Sequence, residues 1–526
     1  MATATIHRPR SPERSRPASP RTDRRVAIAA LAAAALSGLL AAALIPRGPT
    51  GGVEAVMLMG AALLTGVAAG VALRTRWAAL LAPALHLAAF EAARASVFHV
   101  AGQTSGRPRF DTSLGMAMFV AGHVMYAVVA LAPMVLGAIL GAAVARRSAG
   151  DSRAVGRHPD SRWRRAAGAA AIGVRWAATL LLAAGVVVLA VELATPGRVA
   201  PVTDAAGHVV PGSVATVARV RLGGVDQWVS IRGRSATNPV LLHLAGGPGS
   251  SDVGWVRRFN RALEDRFTVA VWEQRGAGKS YPAIDPTSKL TLDRLVSDGV
   301  ELSRWLADRF GARKIYLTGN SWGSTLGVLM VQRAPQLYYA YAGTGQMVSQ
   351  RTTDVALYHQ VLAYSDRTGD RALRARFEAF GEPPYRDLMA YAAMMEYYDR
   401  LEPYRHTAAF EAARGMSGFF PDEYGLMDSW NELRGFPDMA GLLYPQLQGI
   451  DFRRTATRLD VPVYVMQGRH ELTARTGPAL EWFDLLQAPS KRMFWFEASG
   501  HNADAEEPDH FNDVMINTVL AETYLR

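Results

Sequence analysis

The 526-residue sequence contains no cysteine. It therefore has no disulfide, no thiolate metal ligand and no cysteine nucleophile. Charged residues are also scarce, at 20%, whereas hydrophobic residues make up 49% of the chain. The length is enough for two or three domains. The apolar excess is concentrated in roughly the first two hundred residues, which indicates a membrane region rather than a uniformly soluble chain.

Basic residues outnumber acidic ones, and the formal net charge is +11. The sequence nevertheless lacks the basic stripe with interleaved aromatic residues that is typical of nucleic-acid binding. Its arginines cluster at the N-terminus and between apolar segments, where membrane topology accounts for them. We therefore expect no nucleic-acid partner, and we expect no metal and no cofactor.

Residues 1–25 are rich in Arg, Pro and Ser and predict a disordered basic tail. Residues 26–195 predict a transmembrane helical region of about five spans, since each apolar run approaches the roughly 20 residues that cross a bilayer. The candidate spans are Val26–Ile45, Ala55–Leu73, Trp77–Ala93, Gly115–Ala145 and Trp176–Leu193. The third span is the weakest, because it contains Pro83 and Glu91. Residues 196–213 are interpreted as a linker.

Arginines flank these runs unevenly. Arg24 and Arg25 precede the first run, Arg74 and Arg76 join the second to the third, and a further cluster lies between residues 146 and 165. The positive-inside rule therefore predicts a cytoplasmic N-terminus. With five spans, the chain after Leu193 would be extracytoplasmic. Three polar residues at membrane depth are interpreted as hydrogen-bonded groups of the helical bundle or its boundary: His86, Glu91 and His123.

From residue 214 short β-rich runs replace the long apolar ones. Val217–Val220 and Trp228–Ile231 flank Gly223-Gly224 and predict a hairpin. Further strands are predicted at Val240–Leu244, Phe267–Trp272, Lys314–Thr318, Val461–Gln467 and Arg492–Glu497, with a helix at Leu292–Phe310. Strands that alternate with helices predict a largely parallel α/β sheet over residues 214–526.

The segment Gly319-Asn320-Ser321-Trp322-Gly323 follows a predicted strand and has the G-x-S-x-G pattern of a nucleophile elbow. Such an elbow presents a strained serine at the carboxyl edge of the sheet, and its glycines relieve the crowding. Ser321 is therefore the predicted nucleophile. Acyl transfer also needs donors for an oxyanion, and these are predicted to be the backbone N–H groups of Trp322 and Gly247.

A serine hydroxyl needs a histidine base and an acid that orients it, in the chain order Ser, acid, His. His501 follows the last predicted strand and is the predicted base. The competing histidines lie in other loops or on the following helix: His243, His470 and His510. Glu471 follows the penultimate strand and is the predicted acid. Asp460 precedes that strand and is interpreted as a strand-entry residue.

Five segments carry a family resemblance: Gly246–Gly249, Glu273–Ser280, Gly319–Ser324, Gly468–Glu471 and Ser499–His501. From about Val214 to the C-terminus, the sequence resembles the proline iminopeptidase branch of the α/β-hydrolases. The resemblance implies an α/β-hydrolase core with a helical cap inserted after the sixth strand, at about residues 347–450. The expected fold class is thus α/β, preceded by an all-α transmembrane region.

Three residues depart from the pattern of that family. Ala245 stands where the family usually has His, Glu273 where it has Asp, and Glu471 where the acid is usually Asp. The family also holds the amine of its substrate with a Trp-Glu pair in the cap, and this chain has no such pair. The acidic residues that could replace it are Glu396, Glu402 and Glu432.

The residues therefore predict a membrane-anchored serine hydrolase that cleaves a small amide or ester through an acyl-enzyme. An N-terminal aminoacyl bond is the leading substrate. One alternative is an esterase or lipase-type enzyme on the same scaffold, and another is a non-catalytic membrane sensor that retains a hydrolase-like domain. The expected partners are a small-molecule or peptide-end substrate and the lipid bilayer.

Overall fold

The computed structural model describes residues 23–98, 112, 115, 116, 119–148, 162–284, 290–385, 388–413 and 420–524. Most of the predicted disordered tail lies outside the described residues, but Arg24 and Arg25 already belong to the first helix. The chain divides into two compact units. The first comprises residues 1–40, 59–90 and 130–186, and the second comprises residues 41–58, 91–129 and 187–526.

Long apolar helices make up the N-terminal region. They are α1 (Arg24–Leu44), α2 (Gly52–Leu73), α3 (Ala78–Phe98), α4 (Ala132–Ser148) and α5 (Arg162–Ala194), with π-helical turns at Val120–Val124 and Ala127–Leu131. Among the described residues, four helices are long and apolar enough to cross a membrane: Arg24–Leu44, Gly52–Leu73, Gly122–Ser148 and Ala166–Ala194. The third expected span is helical as α3, but α3 is not among these four. It contains Glu91 and Arg94, which reduce its hydropathy.

Small residues allow two helices of the first unit to approach closely. Gly66 and Gly70 of α2 face Gly137 and Gly141 of α4, and both pairs have the G-x-x-x-G spacing. A Cβ atom on Gly66 would lie 2.1 Å from a carbonyl oxygen of α4, and one on Gly141 would lie 2.3 Å from a carbonyl oxygen of α2. Such contacts replace the hydrophobic effect as the force that associates helices in lipid.

The polar residues of the N-terminal region have partners. In the first unit, Ser37 Oγ and His86 Nδ1 are 2.8 Å apart. In the second unit, Arg94 Nε donates to Glu91 Oε2 at 3.1 Å, and Arg94 also contacts His123 at 2.6 Å. These contacts agree with the interpretation of the three residues as hydrogen-bonded groups.

An eight-stranded sheet forms the centre of the C-terminal domain, in the order β1-β2-β4-β3-β5-β6-β7-β8. Its strands are β1 (Val214–Leu222), β2 (Val225–Gly233), β3 (Val240–Leu244), β4 (Thr268–Glu273), β5 (Ile315–Asn320), β6 (Tyr338–Thr344), β7 (Val463–Gly468) and β8 (Lys491–Phe496). The first two strands pair antiparallel, and the sheet is parallel from β4 to β8. The central strands are buried on both faces, which explains their continuous apolar runs.

The predicted hairpin joins β1 to β2 through Gly223 and Gly224, whose φ angles are 54° and 80°. Two successive positive φ angles match the right-handed twist of the strands, and glycine adopts them without strain. The strand pattern of the sequence does not identify β6, which lies between the elbow helix and the cap.

Helices cover both faces of the sheet. They are α6 (Val253–Phe259), α7 (Leu292–Phe310), α8 (Trp322–Arg333), α15 (Phe452–Thr455), α16 (Thr473–Leu485), α17 (Ala503–Glu506), α18 (Pro508–Asp513) and α19 (Ala521–Thr523). Shorter turns complete this layer: the 3₁₀ turns Arg261–Asp265, Gly278–Ala283 and Pro335–Leu337, and the π-helical segment Val514–Leu520.

Six further helices lie between β6 and β7, over the range expected for the cap. They are α9 (Gln350–Thr368), α10 (Arg371–Phe380), α11 (Leu388–Met395), α12 (Tyr398–Leu401), α13 (Ala408–Ala413) and α14 (Leu426–Leu447). An apolar cluster that includes Leu357, Phe377 and Met394 joins α9, α10 and α11. The loops that leave the carboxyl ends of the parallel strands meet under this insertion, which is where α/β sheets bind ligands.

Candidate active site

Ser321 occupies the sharp turn between β5 and α8. Its φ and ψ angles are 54° and −119°, a region that costs a non-glycine residue about 1–3 kcal/mol. The strained turn is held from the neighbouring strand, since the Ser321 N–H donates to the Thr344 carbonyl at 3.1 Å. The backbone thus has the form that the G-x-S-x-G pattern predicts.

The two glycines of the pattern are required by close backbone contacts. A Cβ atom on Gly319 would lie 2.5 Å from the Gly323 carbonyl oxygen, and one on Gly323 would lie 2.1 Å from the Leu244 carbonyl oxygen. Gly323 therefore brings the start of α8 against the end of β3. The same approach brings Ser321 beside the loop that follows β3, where Gly246 faces the Ser321 Cβ.

His501 and Glu471 are paired at the ends of β8 and β7. Nδ1 of His501 contacts Glu471 Oε2, which leaves Nε2 as the ring nitrogen that can serve a nucleophile. Asn320, the residue before Ser321, donates from Nδ2 to the His501 carbonyl at 3.1 Å. The elbow and the histidine loop are thereby tied to each other.

Glu471 is held as a carboxylate. Its side chain is 1% exposed, and burial by itself would raise its pKa. The charge of His501 and the Arg475 guanidinium, 3.2 Å away, outweigh burial and lower the pKa of Glu471 to about 2. A carboxyl with a lowered folded-state pKa stabilises the fold above its unfolded value of about 4.3, and this contribution is lost as the pH falls toward 2.

The predicted oxyanion donors lie on either side of the elbow. Gly247 has a φ of 117° in the loop after β3, and Trp322 begins α8, where backbone N–H groups are free of intrahelical partners. The Trp322 indole donates to Gln274 Oε1 at 2.8 Å, and Gln274 donates to the Ala245 carbonyl at 3.2 Å. The Gln274 amide thus ties the first turn of α8 to the oxyanion loop.

A cavity of about 450 Å³ opens over these residues. Ser321, Glu471, His501 and Gly247 all line it, and so do residues of the cap. Its acidic lining residues are Asp252, Asp399, Glu402, Glu471 and Asp504. The site predicted from the sequence is therefore gathered in one cavity with an excess of carboxyl groups.

Comparison with known proteins agrees with this geometry. Residues 239–386 match the protein family described as the alpha/beta hydrolase fold. The probable aminopeptidase YbaC of Bacillus subtilis (strain 168) is 29% identical over 306 residues, which are 58% of this chain and 96% of that protein.

The chain is an α/β-hydrolase. A proline iminopeptidase of Xylella fastidiosa (strain 9a5c) is 38% identical over 97 residues, which are 18% of this chain and 28% of that protein. The crystal structure of a proline iminopeptidase-related protein of Thermus thermophilus covers 59% of this hydrolase and 98% of its own chain. Its TM-score is 0.42 and its sequence identity is 21%. The N-terminal helices precede the part of the hydrolase that matches the family.

The competing residues of this hydrolase have other environments. Asp460 is exposed and pairs with Arg458 at 2.9 Å. His510 stacks on Phe496, and His243 is buried against Asp252 at 2.8 Å. His470 lines the cavity, but its ring stacks on Tyr404 rather than meeting a carboxylate.

The three glutamates suggested as amine ligands are dispersed. Glu402 lines the cavity, and its carboxylate accepts from the Thr473 N–H at 3.0 Å. Glu432 is buried and accepts from the Ser251 N–H at 2.7 Å, and burial raises its pKa well above the usual range. Glu432 and Glu396 are not among the residues that line the cavity.

Sequence reasoning missed two supporting residues. Arg475 lies four residues after Glu471 on α16, a spacing that could have indicated its ion pair. Glu506 lies behind the histidine loop, where it accepts from the Gly500 N–H at 3.1 Å and from the Tyr404 hydroxyl at 3.0 Å. No local pattern indicates Glu506. Among the described residues, no group of three or more His, Asp or Glu side chains is arranged to hold a metal ion.

We predict that Gly323→Ala lowers kcat by at least about 100-fold, because the added methyl would push the elbow away from β3. Gly477→Ala is the matched control. Gly477 lies inside α16 with open space around it, so this change should leave kcat unaltered and stabilise the fold by up to about 1 kcal/mol. Steady-state kinetics and thermal unfolding measure both effects. A Gly323→Ala protein with wild-type kcat would contradict the close-approach requirement.

We predict that Glu471→Gln lowers kcat/KM by about 10³-fold or more, because the amide keeps the shape but loses the charge that supports an imidazolium. Asp460→Asn removes a carboxylate from the same region of the chain and should change kcat/KM less than about twofold, since Asp460 is exposed. The comparison is made at one pH with one ester substrate. The acid is wrongly assigned if the two variants exchange these effects.

Proposed function

We propose that this α/β-hydrolase is a membrane-anchored serine hydrolase that acts through an acyl-enzyme. The observation that carries the proposal is the single cavity lined by Ser321, by the His501–Glu471 pair and by Gly247. These are a nucleophile, an oriented base and an oxyanion donor, which are the three parts that acyl transfer requires.

Each step uses groups of this cavity. His501 Nε2 accepts the proton of Ser321 Oγ as that oxygen attacks the substrate carbonyl carbon, and the backbone N–H groups of Gly247 and Trp322 donate to the oxyanion. The tetrahedral intermediate collapses, and His501 passes the proton to the departing amine or alcohol. Water, deprotonated by His501, then attacks the acyl-enzyme, and the carboxylic acid leaves. Glu471 remains ionised throughout and stabilises the imidazolium.

The carboxyl groups of the cavity favour a substrate with a free amine. Asp399 and Glu402 come from the cap, and Asp252 and Asp504 come from the core. A cationic α-amine would be attracted by such a lining, whereas an anionic substrate would be repelled. A cavity of about 450 Å³ holds a small molecule or a peptide end. We therefore assign an N-terminal aminoacyl amide as the substrate class, in line with the aminopeptidase relatives.

One observation favours the esterase alternative. The Glu402 carboxylate is already engaged by the N–H and hydroxyl of Thr473, the latter at 2.5 Å, and by the Gln360 amide at 3.0 Å. A carboxylate with these partners is less available to a substrate amine. If Asp399 does not fulfil that role, the same Ser321 chemistry would serve a small ester.

We predict that kcat/KM for a proline or alanine arylamide exceeds that for the matching N-acetylated compound by at least about tenfold. Asp399→Asn should reduce this preference mainly through KM. Asp366→Asn, which removes an exposed carboxylate paired with Arg374 on the cap surface, should leave the preference unchanged. Equal or better use of the N-acetylated amide, or of a short-chain aryl ester, would contradict the aminopeptidase assignment. Ser321→Ala should abolish every one of these activities.

The hydrolase domain is proposed to lie outside the cytoplasm. Arg24 and Arg25 mark the cytoplasmic end of α1, so the chain leaves α1 on the outer side. The start of α2 adjoins the end of α5, because a Cβ atom on Gly52 would lie 2.0 Å from the Leu193 carbonyl oxygen. The hydrolase follows α5 directly. It is therefore assigned to the same side as the loop that follows α1.

This arrangement requires an odd number of crossings between Arg24 and Ala194. The four apolar helices supply an even number, so α3 is proposed as the fifth crossing. Its acidic residue, Glu91, is paired with Arg94 at 3.0 Å. Such pairing reduces the cost of placing ionisable side chains near a membrane.

We predict that Asp308→Cys, on the exposed surface of α7, reacts with a membrane-impermeant maleimide in intact cells. Thr75→Cys, between α2 and α3, should react only after permeabilisation. The natural chain has no cysteine, so each variant carries a single thiol and the unsubstituted chain is the blank. A hydrolase thiol that is protected in intact cells would refute the proposed orientation.

A further inference from the structure

Helix α14 contacts two different segments of the second unit through neighbouring side chains. Asn431 and Arg434 meet the loop formed by residues 45–51, which joins α1 to α2 and is called here the membrane loop. Glu432 and Gly435 meet the segment formed by residues 246–251, called here the oxyanion loop. The helix thus stands between a loop of the membrane region and a loop of the active site.

The membrane loop supplies backbone acceptors to α14. Arg434 donates from its two terminal nitrogens to the carbonyl oxygens of Arg47 and Pro49, each at 2.9 Å. Asn431 donates to the Thr50 carbonyl oxygen at 2.8 Å. Three consecutive or nearly consecutive carbonyls of the membrane loop therefore meet one face of α14.

These acceptors are what allow Arg434 to be buried. Its side chain belongs to a residue that is 5% exposed, and a guanidinium carries five donors that cannot be left without partners in the interior. The guanidinium also lies 4.5 Å from the centroid of the Tyr281 ring. The nearby carboxylate of Asp438 is engaged by the Tyr281 hydroxyl at 2.6 Å. If the membrane loop were displaced, Arg434 would lose two of its acceptors.

The opposite contact of α14 leaves no free space beside the oxyanion loop. A Cβ atom on Gly435 would lie 2.2 Å from the Gly249 carbonyl oxygen, and one on Gly249 would lie 2.3 Å from the Gly435 carbonyl oxygen. In addition, Glu432 Oε1 accepts from the Ser251 N–H at 2.7 Å. A shift of α14 at Arg434 would therefore be transmitted directly to Gly249 and Ser251.

We infer that the membrane loop positions the oxyanion loop through α14, and that Arg434 is the positioning residue that couples them. The inference rests on the proposed function, in which Gly247 donates to the oxyanion. It gives the N-terminal region a part in catalysis besides anchoring. Correct seating of residues 45–51 on the hydrolase domain sets the geometry of the oxyanion hole.

The test uses the full chain and compares Arg434→Gln with an insertion of two glycines after Gly48. The insertion displaces the carbonyls of the membrane loop but leaves every side chain of the hydrolase domain in place. Each change should lower kcat by at least about tenfold with KM altered less than about twofold, because a misplaced donor weakens transition-state binding. The rate of labelling by a fluorophosphonate should fall in parallel. Arg434→Lys should recover part of the loss.

Two comparisons separate positioning from a general loss of stability. Arg47→Gln keeps the Arg47 carbonyl and should retain kcat within about twofold. The double variant, Arg434→Gln with the insertion, should be no worse than the more impaired single variant, since both interrupt one contact. If Arg434→Gln does not accumulate as folded protein, the insertion alone decides the matter.

A normal kcat in the insertion variant, or strictly additive losses in the double variant, would overturn the inference. The proposed function fails in a different way. In that case the unsubstituted chain itself would not react with the fluorophosphonate, and Ser321→Ala would change no activity. The two failures are therefore distinguishable in one set of assays.

Discussion

The closest backbone approach at the active site is the contact of the elbow with the end of β3. Gly323 lies against the Leu244 carbonyl with no room for a side chain, and Gly319 lies equally close to Gly323. This contact keeps Ser321 at its positive φ and places it beside the loop that follows β3. The hydrogen bond from Asn320 to the His501 carbonyl then brings the histidine loop to the same point. The remaining features of the site are built around this junction.

Electrostatics and packing act together at the second half of the site. Burial of Glu471 would be unfavourable for a charge alone, but His501 and Arg475 keep it ionised. Glu506 performs a related role behind the loop, where it accepts from backbone N–H groups and fixes Gly500 beside His501. A charged network of this kind orients a base without requiring a metal ligand or a thiol, in a chain that has no cysteine.

Local signals in the sequence predicted much of this fold. The helix at Leu292–Phe310 has the predicted bounds because both of its ends are marked in the sequence. Thr291 caps the first turn by accepting from the Arg294 N–H, and Gly311 ends the helix at a φ of 62°. Strand β6 was missed because its run of Tyr, Ala and Gly lacks both alternation and β-branched residues. The order of Ser321, Glu471 and His501 along the chain indicated which residues would meet, since the carboxyl ends of parallel strands share one edge.

What the sequence could not predict depends on contacts between distant segments. Arg434 and Pro49 are 385 residues apart, and Glu432 and Ser251 are 181 residues apart. No periodicity links such residues, because their partners are backbone groups that any sequence provides. The third span has a similar origin. Glu91 weakened its prediction, and only the contacts of Glu91 with Arg94 and His123 account for a charged residue at that place.

The central claim is that Ser321 is the nucleophile of a working hydrolase. The most direct measurement is peptide mapping by mass spectrometry after the full chain has reacted with a fluorophosphonate. The account predicts one adduct per chain, located on the peptide that contains Ser321, and no adduct when His501 is replaced by alanine. An unmodified chain, or an adduct on any other serine, would contradict it.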